Sequence, residues 1–290
     1  IAQKSEVYPL LTHGVRYLDI RIAEHDGEWY GCHGLLAAPI DGFLIDTIRF
    51  LSKTDGEFVV VELRHTYFET VGYYELFEYI ASVKYEGKSL LDYVRYDKND
   101  TPLEELRYND VVNGGSGVIF VMREGPTDMF VGYIYDDEGN VSKTIIQWGG
   151  STIATGKDYD LDVIFRNFKG VYGEVVYDPW HNQTTDKKML EGIRETAALL
   201  KENKETYTSV FRINQAQKTP KFELDSIPAS LFGWSLLDLA NRFNAKLLEQ
   251  PDFKEWLSVM PVFQVDYADS MKGGFNDKVV AILNEYNRGL

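Results

Sequence analysis

Seven short apolar segments, rich in β-branched and aromatic residues, recur along this 290-residue chain, and helical patterns separate most of them. Strand signals fall at 15–22, 28–33, 58–64, 117–122, 173–177, 207–213 and 262–267. Helical periodicity falls at about 39–53, 72–84, 186–204, 228–249 and 275–288. Leu190, Ile193, Ala197 and Leu200 keep the spacing that lines one face of a helix. Pro228 suits the first turn of a helix, and Pro261 marks the break before the last strand. The segments 207–213 and 262–267 carry few polar residues, as do strands covered on both faces. Strand–helix alternation over the whole length predicts a parallel sheet, and with this many units an α/β chain closed as a TIM-like (β/α)8 barrel. Seven strands are one short of the eight of such a barrel.

The least regular stretch is 125–172, read as a long loop or insertion within a single domain spanning 1–290. Inside it, Tyr133 to Val141 predicts a hairpin that turns at Glu138, Gly139 and Asn140. Asp158, Asp160 and Asp162 form an acidic loop, and they lack the glycine and distal glutamate of an EF-hand.

Composition excludes some functions. Forty-five acidic against thirty basic residues give a net charge of −15. That disfavours nucleic acid, whose affinity rests on neutralising phosphates, and also electrostatic docking to anionic lipid. No run of 18 apolar residues occurs, the length that would cross a membrane as a helix. Cys32 is the only cysteine, so neither an internal disulfide nor a cysteine metal cluster can form.

Function is concentrated in residues 15–34, VRYLDIRIAEHDGEWYGCHG. Arg16, Asp19 and Arg21 are set among Val, Leu and Ile, and a second short segment ends in Cys32-His33-Gly34. Two strand ends would bring an aspartate, an arginine and an imidazole to one place. The trio suits chemistry on a phosphate ester, with a cation for the anionic oxygens and a proton donor for the leaving oxygen. The same residues would equally serve as a buried Asp–Arg pair beside a structural histidine.

This block, GVRYLDIRI followed by CHG, resembles the X region of bacterial phosphatidylinositol-specific phospholipase C, in which a G-x-R-x-x-D-x-R strand precedes a strand ending in His-Gly. Later segments fall in the same order. Residues 59–64 (VVVELR) resemble the next strand, and 117–125 (GVIFVMREG) the strand that ends in an inositol-binding arginine. Residues 177–180 (YDPW) stand where the family has an aspartate and, two residues on, an aromatic; 262–267 (VFQVDY) resemble the last barrel strand.

The resemblance implies a barrel that is distorted or incompletely closed, and a catalytic group of His33, Arg21, Asp266 and Asp19. His33 would be the general acid, and Arg21 would bind the phosphate and the inositol 2-hydroxyl. Asp266 would orient and charge the general base. Arg64, Arg123, Asp178 and Trp180 would cradle the head group, Trp180 replacing the more usual tyrosine. The implied reaction cleaves phosphatidylinositol, or a glycosyl-phosphatidylinositol (GPI) anchor, to diacylglycerol and an inositol 1,2-cyclic phosphate. No cofactor and no metal are expected, because Arg21 stands where calcium-dependent animal relatives carry an acid. An arginine would repel a cation from a shell that needs six to eight oxygens. Glu62 is the residue that keeps a metal reading open. The implied setting is a monomer acting on lipid at a membrane surface, secreted or on a bacterial cell surface.

In the family the base histidine lies in a Thr-His-Asp or similar motif upstream of this block. No such motif occurs here, and Thr12-His13-Gly14 comes too late. The expectation is that about 30–60 further residues precede Ile1 in the parent gene, with the missing strand and histidine, since an open barrel leaves exposed edges. His25, His65 and His181 read as surface or loop residues. Leu231, Phe232 and Trp234 either touch a membrane as a rim or pack as core of the 228–249 helix. Two rivals remain. One is a glycerophosphodiester phosphodiesterase, which needs a metal-binding carboxylate pair that Asp19-x-Arg21 does not offer. The other is a phosphoinositide- or glycan-binding module without catalysis.

Overall fold

The computed structural model describes residues 6–32, 36–67, 73–95, 106–122, 129–135, 141–148, 171–172, 176–207, 210–218, 236–269 and 274–288. They group into two compact units. The first is essentially Arg16–Val175, and the second joins Ala2–Val15, with its short helix α1 (Val7–Thr12), to Val176–Leu290.

In the first unit β1 (Tyr17–His25), β2 (Glu28–Cys32) and β3 (Leu36–Pro39) precede helix α2 (Asp41–Lys53). Then come β4 (Phe58–Tyr67), α3 (Tyr73–Ser82), α4 (Tyr108–Val112) and β5 (Gly117–Met122). The hairpin strands β6 (Met129–Tyr135) and β7 (Val141–Trp148) and the short β8 (Val171–Tyr172) complete it. Its main sheet has the order β3-β2-β1-β4-β5-β8. The ladders β1–β4, β4–β5 and β5–β8 are parallel, whereas β1–β2 and β2–β3 are antiparallel. Val59, Val60, Val61 and Leu63 of β4 and Val118 to Val121 of β5 are all buried, the pattern of strands covered on both faces. Leu44, Ile48 and Leu51 of α2 supply a buried face at i, i+4 and i+7.

Two expectations are corrected here. Segment 28–33 does not join the parallel set, because only Asp26 and Gly27 separate β1 from β2, and a parallel crossover needs a dozen residues or more. Both loop residues have positive φ, 51° and 82°, the combination a tight hairpin turn demands. The hairpin also lengthens β1 to His25, which is 3% exposed rather than on the surface or in a loop. The imidazole Nε2 lies 3.1 Å from Asp26 Oδ2, and the Gly27 amide donates to Glu24 Oε1 at 2.7 Å. Gly27→Val should destabilise the protein by about 1–2 kcal/mol, because a branched side chain resists positive φ; urea unfolding checks it, and an unchanged midpoint would count against the turn.

In the second unit, β9 (Val176–Tyr177), α5 (Asp186–Glu202), β10 (Phe211–Gln215), α6 (Leu236–Leu248), α7 (Phe253–Val259), β11 (Val262–Gln264) and α8 (Phe275–Asn287) follow one another. Strands β11-β10-β9 form a parallel sheet with Gln215 level with Gln264 and Arg212 level with Tyr177. Its core joins Met189, Ile193, Ala197 and Leu200 of α5 to Phe243 and Leu247 of α6, Phe253, Trp256 and Leu257 of α7, and Phe275 of α8. The predicted α5 face is thus the buried one, with Met189 added and Leu190 partly buried against it.

Seven strands run in parallel ladders among the described residues, the expected number but a different set: β2 leaves it and β8 enters. β10 begins at Phe211 rather than 207, and β11 stops at Gln264, leaving Asp266 beyond it. Pairing of Tyr135 with Val141 bears out the predicted hairpin; its turn, 136–140, lies outside the described residues, as do the acidic loop 158–162, Pro228 and 231–235. Among the described residues no helix is long and apolar enough to cross a membrane.

Candidate active site

Alternation along β1 sorts its side chains. Leu18, Ile20 and Ile22 are buried, and between them Tyr17, Asp19 and Arg21 point to the opposite face, half-buried. Parallel pairing sets Asp19 level with Glu62 and Arg21 level with Arg64. Glu62 is 1% exposed, and the Tyr17 hydroxyl donates to its Oε2 at 2.9 Å. Two carboxylates therefore face the same way on adjacent strands, two rungs before the arginine pair. The rival phosphodiesterase lacked such a pair in Asp19-x-Arg21; strand register supplies one from a segment 43 residues away. Among the described residues, however, no group of three His, Cys, Asp or Glu side chains stands close enough to hold a metal ion.

Arg21 is not at a strand end, as the sequence suggests, because β1 continues four residues further as a hairpin arm. It is instead the last regular rung of the β1–β4 ladder, whose register shifts between Arg21 and Ala23. Such irregularities re-aim side chains and recur beside active sites. The hairpin also folds β2 back along β1: Gly31 is level with Ile22, so the next residue, Cys32, reaches the level of Arg21. Burial pushes the Cys32 thiol up to about 12, against an opposing pull from the Arg21 charge. At neutral pH the thiol is protonated, which removes it as a nucleophile. His33, next in the chain, and Arg123, which follows β5, lie outside the described residues.

The second unit carries the other candidates at the C-terminal ends of its parallel strands. Asp178 directly follows β9 and is 6% exposed. Gln215, the last residue of β10, donates through Nε2 to Asp178 Oδ2 at 2.6 Å and to the Asp178 carbonyl at 2.9 Å. Two residues on, Trp180 is 59% exposed. His181 sits half-buried in the loop, where burial lowers its basicity below the ordinary value.

Asp266 lies two residues past β11, beside a small cavity lined also by Gln217, Leu239, Ala240, Phe243 and Asn244. Asn244 Nδ2 donates to the Asp266 carbonyl at 2.9 Å. Burial pushes the Asp266 carboxyl up to about 6. Lys218 also lines the cavity, but its ammonium is held 2.7 Å from Asp186, which Lys246 grips as well. Asp266 thus keeps its proton two pH units higher than an exposed aspartate, a value suited to a group that charges near neutrality.

Sequence reasoning missed Tyr17 and Gln215. The signal for Tyr17 was its place two residues before Asp19, on the same strand face. Nothing local marks Gln215, which acquires its role only when β9 and β10 pair.

The described strands and helices define an α/β fold. No protein-family model matches the chain, and no curated protein matches it significantly. Solved structures do. A phosphatidylinositol-specific phospholipase C from Staphylococcus aureus aligns with 97% of this chain and 84% of its own at 13% identity and a TM-score of 0.59. A second structure, from work on membrane binding by the S. aureus enzyme, aligns with 98% of this chain and 83% of its own at 16% identity and a TM-score of 0.60. The phosphatidylinositol-specific phospholipase C of Listeria monocytogenes aligns with 97% and 83% at 17% identity and a TM-score of 0.52. The likeness is one of fold, and it is the fold the sequence resemblance implied.

Proposed function

We propose that this chain is a metal-independent phosphodiesterase acting on phosphatidylinositol or a GPI anchor, releasing diacylglycerol and an inositol 1,2-cyclic phosphate. The observation that carries the reading is the rung that sets Arg21 level with Arg64 beside the Asp19–Glu62 pair, on a fold shared with phospholipase C structures. A guanidinium offers a rigid fork of donors to two phosphate oxygens and stays charged at every working pH. Asp19 and Glu62 supply the negative charge that keeps such a cation on the sheet face. In the reaction the inositol 2-hydroxyl attacks phosphorus and loses its proton to a base. Charge builds on the non-bridging oxygens, where Arg21 acts, and His33 protonates the departing glycerol oxygen. Asp266 is the positioning group that orients and charges the base. Asp178, Arg64 and Arg123 hold the inositol as polar anchors, with Trp180 as a stacking face. The protein works as a secreted or cell-surface monomer at a lipid interface.

Chelation is the discriminating experiment. Cleavage of phosphatidylinositol vesicles should be unchanged by EDTA, and Arg21→Lys should lower kcat/KM by about 10²-fold, the scale of one lost preorganised donor. Activity abolished by EDTA and restored by calcium would favour a cation held by Asp19 and Glu62, and with it the glycerophosphodiester rival. Saturable binding of inositol phosphates with no turnover would favour the binding module.

A further inference from the structure

We infer that Gln215 is a positioning residue for head-group recognition, setting the orientation of the Asp178 carboxylate; the inference rests on the reading above that Asp178 binds inositol. Gln215 and Asp178 are 5% and 6% exposed, so their contact is made where water competes little. Both partners of the Gln215 amide are acceptors, the Asp178 Oδ2 at 2.6 Å and the Asp178 carbonyl at 2.9 Å. Chemistry therefore fixes which end of the amide faces them, since only the nitrogen can donate. Gripping the side chain and the main chain of one residue together removes the carboxylate's freedom to rotate about its last bond.

The platform is rigid, because Gln215 ends β10 with its backbone level with Gln264 of β11, while β10 pairs with β9 up to Tyr177, the residue before Asp178. Trp180 lies two residues on and is 59% exposed. The carboxylate that would accept polyol hydroxyls and the ring that would stack on the sugar thus leave one strand end together. A neutral amide is the fitting clamp. It donates to the carboxylate without cancelling its charge, whereas Lys or Arg there would compete with the hydroxyls for it.

The test compares Gln215→Leu, Gln215→Glu and Asp178→Asn in the full chain, by KM and kcat on phosphatidylinositol vesicles and by competition with free myo-inositol from pH 5 to 8. Gln215→Leu should raise KM and the inositol inhibition constant about tenfold, with kcat changed far less. Gln215→Glu sets two carboxylates against each other. At pH 5 they share a proton and keep the bridge, and at pH 8 both ionise and repel. Its KM should therefore approach wild type at low pH and climb as pH rises, a limb absent from wild type and from Gln215→Leu. A merely structural glutamine would not produce that limb, and the low-pH arm supplies a folded protein should the leucine variant fail to fold. If both Gln215 variants keep wild-type KM at every pH while Asp178→Asn raises it, the positioning role is overturned and the head-group reading stands. If Asp178→Asn also leaves KM and inositol competition unchanged, the head-group reading falls and takes this inference with it.

Discussion

Asp266→Asn is expected to lower turnover of phosphatidylinositol by about 10³-fold or more while making the protein more stable at pH 8. The catalytic half follows from its role. A carboxylate that holds a base histidine in one tautomer and stabilises its charged form contributes heavily; the equivalent Asp→Asn change in a serine-protease triad costs about 10⁴. The wild-type enzyme should accordingly lose activity below about pH 6, where Asp266 takes up its proton, and the variant should lack that acid limb. The stability half has its own sign. The folded carboxyl at about 6 lies above the ordinary 3.8, so the fold binds this proton more tightly than the unfolded chain. The favourable contribution is complete below pH 3.8 and is lost as pH rises through about 6, leaving a buried charge that opposes folding. Asparagine removes that charge, for a gain of about 1–2 kcal/mol at pH 8 and almost none at pH 4, after discounting the full two-unit shift for partial solvation. Calorimetry at the two pH values reads it directly. An asparagine variant with near-normal turnover, or with no pH-dependent gain in Tm, would mean that Asp266 is an ordinary solvated carboxylate.

His33→Ala is expected to cost between about 10² and 10⁴ in kcat, the range for a lost general acid. The size of the loss should depend on the leaving group. Diacylglycerol departs as an aliphatic alkoxide, which is too basic to leave without a proton. A nitrophenol leaves readily on its own. An inositol nitrophenyl phosphate should therefore be turned over by the alanine variant nearly as well as by wild type, while cleavage of phosphatidylinositol collapses. Equal losses on both substrates would show that His33 contributes by binding or structure and not by proton donation.

Much of this was legible in residues 15–34 and in the α5 periodicity, because both depend on local order. A two-residue Asp-Gly loop can make only a hairpin, and Ile193, Ala197 and Leu200 can share only one face of a helix. Those rules act over a few residues, and the chain displays them directly. Even so, strand composition carries no direction, so by composition 15–22 and 28–33 read alike as members of a parallel set. Resemblance and spacing single out Arg21, Asp178 and Asp266; Asp178 follows β9 directly and Asp266 lies two residues past β11, whereas Arg21 stands inside β1. What the sequence could not say was which strand stands beside which. Register alone sets Glu62 level with Asp19 and under the Tyr17 hydroxyl, across 43 residues of chain. Pairing of β9 with β10 alone brings the Gln215 amide to Asp178. Burial in the folded chain lifts Asp266 to about 6. By itself, then, the sequence determined most of the longer strands and helices and the chemical types of the candidate residues. Tertiary structure decided their partners and their charge states, because hydrogen-bond geometry and desolvation are properties of neighbours in space, which a one-dimensional pattern does not contain.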